Sequence, residues 1–168
     1  MRWFLLLTVF YCFMTMLNAQ PQPGHSAPNA VDATMHTYSI RLRPGQDLKT
    51  ELESLVKQQR IGAGAILTCV GSLTDVTIRL ANQEKGSVWK GHFEIVSLVG
   101  TLSVNGSHIH LSVSDSTGRT IGGHLLEGCT VYTTAELLIG VMPDIEYVRE
   151  IDPTFGYQEL AIRKRKRK

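Results

Sequence analysis

The sequence predicts an α+β domain, an antiparallel or mixed β-sheet of about seven strands with one main helix. Three observations carry that prediction. Only the stretch from Leu48 to Gln59 has apolar residues at helical spacing. Most other apolar residues fall in short runs that alternate or are continuous, as strands require. Gly, Pro and Asn interrupt those runs at close intervals. The 168 residues suffice for one domain with a real core and are too few for two comfortable ones. With 43% hydrophobic and 19% charged residues, the composition excludes wholesale disorder.

The N-terminal segment stands apart from that domain. Arg2 precedes an apolar run, Trp3 to Leu17, and then Gln20-Pro21-Gln22-Pro23-Gly24. A charged start, a short apolar core and a helix-breaking polar stretch read as a signal peptide over residues 1–19, with Ala19 at the cleavage point. The run is shorter than the roughly 20 apolar residues of a membrane span, so none is expected once the signal is removed. The expected location is the secretory pathway, as a secreted protein. Translation from Met14, Met16 or Met35 would instead leave the chain cytoplasmic or nuclear. Residues 20–35, rich in Pro, Gly, Ser and Ala, read as a flexible linker.

The domain is expected over residues 36–162. His36 to Arg43 alternates as an edge or half-buried strand, and Pro44-Gly45 breaks it. Asp47 is an N-cap for the helix Leu48 to Gln59, with Glu51 and Glu53 toward its positive end. Leu48, Leu52, Leu55 and Val56 form one buried stripe, and Gly62 and Gly64 stop the helix. Ala65 to Val70 suits a central strand, followed past Gly71-Ser72 by Val76 to Leu80 and a loop through Gly86. Phe93 to Val104 and Ser107 to Ser114 flank Asn105-Gly106, the pair favoured in a two-residue type I′ hairpin. Val131 to Val141 and Leu160 to Arg163 complete the strands. Cys69 and Cys129 lie in apolar runs and read as buried thiols, although an oxidising compartment would allow them to pair. Six of the 17 basic residues form a tail, Arg163 to Lys168, leaving 11 bases against 15 acids elsewhere. The body is therefore mildly acidic, and a pI of 8.5 does not make it a nucleic-acid binder.

The chemistry is expected on the hairpin. A two-residue loop sets Ser103 opposite His108, Thr101 opposite His110 and Val99 opposite Ser112. One face is then almost wholly apolar, and the other carries hydroxyls and two imidazoles. His108 and His110, one residue apart, project from the same face of a strand and can reach one ion. His124 follows in Thr120-Ile-Gly-Gly-His124, where paired glycines permit close backbone approach. A sharp turn at Asp115 to Gly118 would bring the two strands together. Three imidazoles with an open position are the arrangement of catalytic or ligand-binding zinc, or of another divalent transition metal. The alternative for the histidine pair is a solvated surface. Glu94 and Glu136 sit within otherwise apolar strands, where each would serve as a general base, as a partner outside the metal ligands or as half of an interface ion pair. Arg79, at a strand end, would pair with such a glutamate or bind an anion. Asn105-Gly106-Ser107 matches an N-glycosylation acceptor, although the turn alone explains Asn-Gly. The sequence contains no P-loop, dinucleotide fingerprint or nucleophile elbow, and no Ser-His-Asp set can be assigned.

Five stretches together resemble a known family, the plant-and-prokaryote conserved (PPC) domain. They are Tyr38-Ser-Ile-Arg-Leu-Arg-Pro-Gly-Gln-Asp-Leu48, Val70-Gly-Ser-Leu73, Gly91-His-Phe-Glu-Ile-Val-Ser-Leu-Val-Gly-Thr101, Gly106-Ser-His-Ile-His-Leu-Ser112 and Gly118-Arg-Thr-Ile-Gly-Gly-His-Leu125. The resemblance covers roughly residues 36–163. It implies a compact domain that assembles as a homotrimer and, in stand-alone prokaryotic members, a metal held by the equivalents of His108, His110 and His124. Plant members add AT-hook motifs and bind DNA in the nucleus. This chain has no Arg-Gly-Arg and keeps the histidines, so it is similar to the prokaryotic kind. Three roles follow as expectations. The first is a trimeric zinc-binding domain with a small ligand or a metal-assisted reaction, catalysis being left open. The second is a nuclear or DNA-binding protein using the tail from Arg163 to Lys168, which would equally suit another polyanion. The third is a structural oligomerisation module.

Overall fold

The computed structural model describes residues 30–154 and 156–165. The expected signal peptide, most of the linker and the last three residues of the basic tail lie outside them. Among the described residues no helix is long and apolar enough to cross a membrane.

Among the described residues, eight strands and one helix follow in the order β1 (His36–Leu42), α1 (Leu48–Gln58), β2 (Gly64–Arg79), β3 (Ser87–Leu102), β4 (His108–Asp115), β5 (Thr120–Leu125), β6 (Thr130–Val141), β7 (Ile145–Ile151) and β8 (Gln158–Lys164). The α+β expectation of a mainly antiparallel sheet with one helix holds. Every strand pairing is antiparallel. The main sheet runs β1-β6-β2-β3-β4-β5, and β5 also pairs with β2, so strands β2 to β5 close on themselves. β7 and β8 form a separate two-stranded sheet.

The sequence explains the first elements directly. In Arg43-Pro44-Gly45-Gln46 the Gln46 amide donates to the Arg43 carbonyl (3.2 Å), and Gly45 supplies the positive φ of 85° that ends β1. Asp47 caps α1 by accepting from the Thr50 amide at 2.8 Å. Its other carboxylate oxygen accepts from the Gly128 and Cys129 amides at 2.7 and 2.8 Å, tying the helix start to the turn before β6. Leu48, Leu52 and Val56 are buried as the stripe requires, while Glu53 pairs with Lys49 at 3.2 Å. The helix stops earlier than its glycines suggest: Gln59 is the C-cap, and Arg60 takes the left-handed turn at φ 50°.

The two expected runs, Ala65–Val70 and Val76–Leu80, are parts of one strand, β2, bent by register shifts. Gly71, at φ 151°, permits the closest approach, since a Cβ there would sit 2.1 Å from the Thr134 carbonyl oxygen. Leu73, Val76, Ile78, Leu98, Leu111 and Val113 are all buried and belong to the same core as the helix stripe. Cys69 and Cys129 are free and buried, as read. Burial pushes the Cys69 thiol up to about 12. Burial also pushes Cys129 up, to about 11, against a backbone hydrogen bond with Thr77 that lowers it.

Candidate metal centre

The β3–β4 connection differs from the expected two-residue hairpin. Thr101 pairs with His108, Val99 with His110 and Gly100 with Ile109, so residues 103–107 form a longer loop. Local side chains account for it. The Ser103 hydroxyl accepts from the Asn105 amide at 3.0 Å and donates to the Tyr147 carbonyl at 2.9 Å. The Ser103 amide donates to the Ser107 hydroxyl at 3.3 Å. The Val104 amide donates to the Ile61 carbonyl at 2.9 Å. These bonds hold the loop open against β7 and outcompete the tight Asn-Gly turn. Because the pairing slips by an even step, each side chain next to the loop keeps its face, and His108 and His110 still project outward. Beyond the bulge between Ile95 and Ser97, the partners change again.

The next turn follows its sequence closely. One carboxylate oxygen of Asp115 accepts from the Thr117 amide (2.9 Å), the Thr117 hydroxyl (2.6 Å) and the Arg119 amide (3.1 Å). The Thr117 hydroxyl leads in holding the Asp115 carboxyl below its ordinary value. This turn sets β5 beside β4 with His124 directly opposite His110. On its other edge β5 meets β2, where Arg79 is the cross-strand partner of His124. Gly123 makes that contact possible, since a Cβ there would lie 2.5 Å from the Arg79 carbonyl oxygen.

The three rings therefore converge. His108 Nε2 and His124 Nδ1 are 3.1 Å apart, their rings stacked with centroids 4.9 Å apart. His110 lies edge-on to both, at 5.0 Å from His108 and 4.5 Å from His124. One ring nitrogen from each lies within 4.8 Å of the others. Two imidazole nitrogens on a tetrahedral zinc at 2.0–2.1 Å would stand about 3.3 Å apart, which the first pair nearly meets. All three nitrogens lie within 4.8 Å of one another, close to the roughly 4.2 Å that two such bonds can span. Burial lowers the pKa of His108, reinforced by Arg149, His110 and Arg79 and opposed by Glu159. Burial likewise lowers His124, followed by Arg79, His110 and His108. Both effects favour the neutral imidazole, whose lone pair is what a metal requires. The donor set fits a divalent transition ion.

The other expected residues scatter. Glu94 is exposed on β3 opposite Ser114, four positions along β4 from His110, or roughly 13 Å at strand rise. Glu136 is exposed on β6 opposite Arg41, with the Thr134 hydroxyl 3.5 Å from its carboxylate. Arg79 is beside the histidines and donates to the Gln83 carbonyl at 3.2 Å. The Asn105 side-chain nitrogen donates to Glu146 at 2.9 Å and to the Tyr147 carbonyl at 3.0 Å, so a glycan there would displace one of these bonds. Arg163 and Lys164 of the basic tail lie within β8, where Arg163 pairs with Glu150.

A cleft of about 1070 Å³ opens beside the cluster, lined by His108 and His124 and by Arg79, Arg149, Tyr157 and Glu159 among others. Arg149, Tyr157 and Glu159 come from the β7–β8 region, where the sequence predicts only a short final strand. Charges at Glu146, Arg149 and Glu150 mask β7, and the alternation of Ile145, Tyr147, Arg149 and Ile151 was the available signal.

A family model for the Plants and Prokaryotes Conserved (PCC) domain matches residues 30–143. A Synechococcus protein named bifunctional protein GlmU is 43% identical over 145 residues, covering 86% of this chain and 22% of its own length. A second Synechococcus protein of that name is 46% identical over 131 residues, covering 78% of this chain and 21% of its own length. The chain thus spans about a fifth of the curated relatives it matches. Among solved structures, a hypothetical protein from Salmonella enterica aligns with a TM-score of 0.80 at 44% identity, covering 82% of this chain and 99% of its own. A metal-containing protein from Archaeoglobus fulgidus shares the fold at a TM-score of 0.70 and 22% identity, covering 80% of this chain and 99% of its own.

Proposed function

The chain belongs to the Plants and Prokaryotes Conserved (PCC) domain family, and on that footing we propose a trimeric domain that holds a divalent ion, zinc by donor type, and presents it to a small ligand. His108, His110 and His124 are the ligands in this reading. The observation that carries it is the convergence of three ring nitrogens within 4.8 Å at the edge of an open cleft. An ion so held would polarise a carbonyl or activate water. The residues of the chain do the rest. β4 offers two imidazoles from one face, the Asp115 turn delivers the third, and burial first, with neighbouring cations second, lowers the pKa of His108 and His124. A structural neighbour from Archaeoglobus that is itself described as metal-containing is in keeping with this reading.

The trimer is supported by the outer surface of the sheet. Leu67, Val70, Val96, Val99 and Tyr132 are each at least 45% exposed, an apolar surplus more typical of a subunit interface than of a solvated face.

Elemental analysis with native mass measurement tests both parts. Purified protein is expected to carry about one ion per chain, in the three-histidine stoichiometry. A His108→Ala/His110→Ala variant should lose the ion and keep its assembly. Full metal content in that variant would overturn the metal reading. A trimer that never takes up metal would leave a structural module.

A further inference from the structure

We propose that the cleft beside the histidines is an oxyanion site, in which Arg79 and Arg149 hold the headgroup of a small organic acid next to the cation. The proposal rests on the metal reading above for the cation and on the arginines alone for the anion.

The two guanidinium groups bracket the cluster from different elements. Arg79 ends β2 as the strand partner of His124. Arg149, on β7, donates to the Thr101 hydroxyl at 2.9 Å, and Thr101 is the strand partner of His108. Both line the cleft. Each has one hydrogen bond to a neutral oxygen, the Gln83 carbonyl for Arg79 and the Thr101 hydroxyl for Arg149. Those bonds fix the side chains while leaving most of the five N–H donors of each guanidinium for a ligand. The salt bridges of the described residues engage other cations, namely Lys49, Lys90, Arg119 and Arg163.

Charge points the same way. In the cleft lining, Arg79 and Arg149 are balanced by Glu84 and Glu159. A divalent ion on neutral imidazoles adds two positive charges, and the surplus is met by an anion. Guanidinium forks match the paired oxygens of a carboxylate or phosphate, and three histidines leave coordination positions open toward the same space. A volume of about 1070 Å³ is far more than a bare ion fills. Tyr157, 71% exposed at the cleft, offers an aromatic face for the organic part of the ligand.

The test uses the full chain loaded with Co²⁺, whose visible absorption reports the coordination sphere, titrated with succinate in one arm and inorganic phosphate in the other. At least one probe is expected to bind and perturb the cobalt spectrum, and the tighter arm identifies the headgroup. Arg79→Gln and Arg149→Gln should each weaken that binding tenfold or more while cobalt affinity stays the same or tightens, which also shows that the variants fold. Arg79→Lys and Arg149→Lys, which keep the charge and lose the fork, should fall between. Absence of binding by both probes overturns the proposal, as does binding unchanged in the glutamine variants. Failure of the wild-type chain to bind cobalt defeats the metal reading separately. The same titrations on the metal-free chain then decide the arginine pair, with arginine-dependent binding upholding it and none overturning it.

Discussion

His108 and His124 share an environment that disfavours their charged forms, through burial first and through neighbouring cations second. Their folded-state pKa values lie below the ordinary 6.5 or so of an unfolded histidine. Above that value both states are neutral and nothing is lost. As pH falls through it, the unfolded chain takes up protons that the folded chain resists, so the metal-free protein loses stability until the folded values are passed. Protons also compete with the ion for the same lone pairs. Metal affinity is therefore expected to climb between about pH 5 and pH 7 and then level off, with urea midpoints of the metal-free protein falling over the same acid range. Zinc titrations and urea melts at several pH values check this; affinity independent of pH would argue against imidazole ligation. By contrast, Cys69 and Cys129 remain thiols throughout this range, since burial pushes them to about 12 and about 11.

The short strand β5 delivers His124, and Gly123 lets it lie against β2. Gly123→Ala forces a shift of backbone, because the contact it meets is the Arg79 carbonyl oxygen and not a flexible side chain. The expected cost is about 1–3 kcal/mol of stability. Metal affinity should also fall at least tenfold, although all three histidines remain; calorimetric titration of the variant checks this. Such close approaches were only partly legible beforehand. The strand edges around Pro44-Gly45, the Asp47 cap and the Asp115 turn follow from local chemistry and could be read directly. Two-residue periodicity placed His108 and His110 on one face whatever the loop did, which is why the site survived an incorrect register. The loop itself could not be read, because Ser103 and Asn105 are held by Tyr147, more than 40 positions away. The arginine from β7 was missed for a related reason. A strand anchored by distant contacts, as Arg149 is by Thr101, leaves little local trace when charged residues interrupt its pattern.

At the scale of the whole molecule, the side chains inside the closed strands and under α1 form one core, while apolar groups remain on the outer surface. Val70 on β2 is 57% exposed, more than a lone chain needs. If that surface joins copies of the chain, Val70→Glu would place a carboxylate in the interface, and native mass measurement should show monomers where the unaltered protein gives trimers. A circular dichroism spectrum that keeps its β signature would show that only assembly was lost; unchanged mass would count against the interface. The double pairing of β5 has its own consequence. Because β5 is laced to β4 on one side and to β2 on the other, the ring closes at the very residue that supplies the third imidazole. An ion seated there would act as a rivet across the seam, so that peeling β5 away and emptying the centre become a single event.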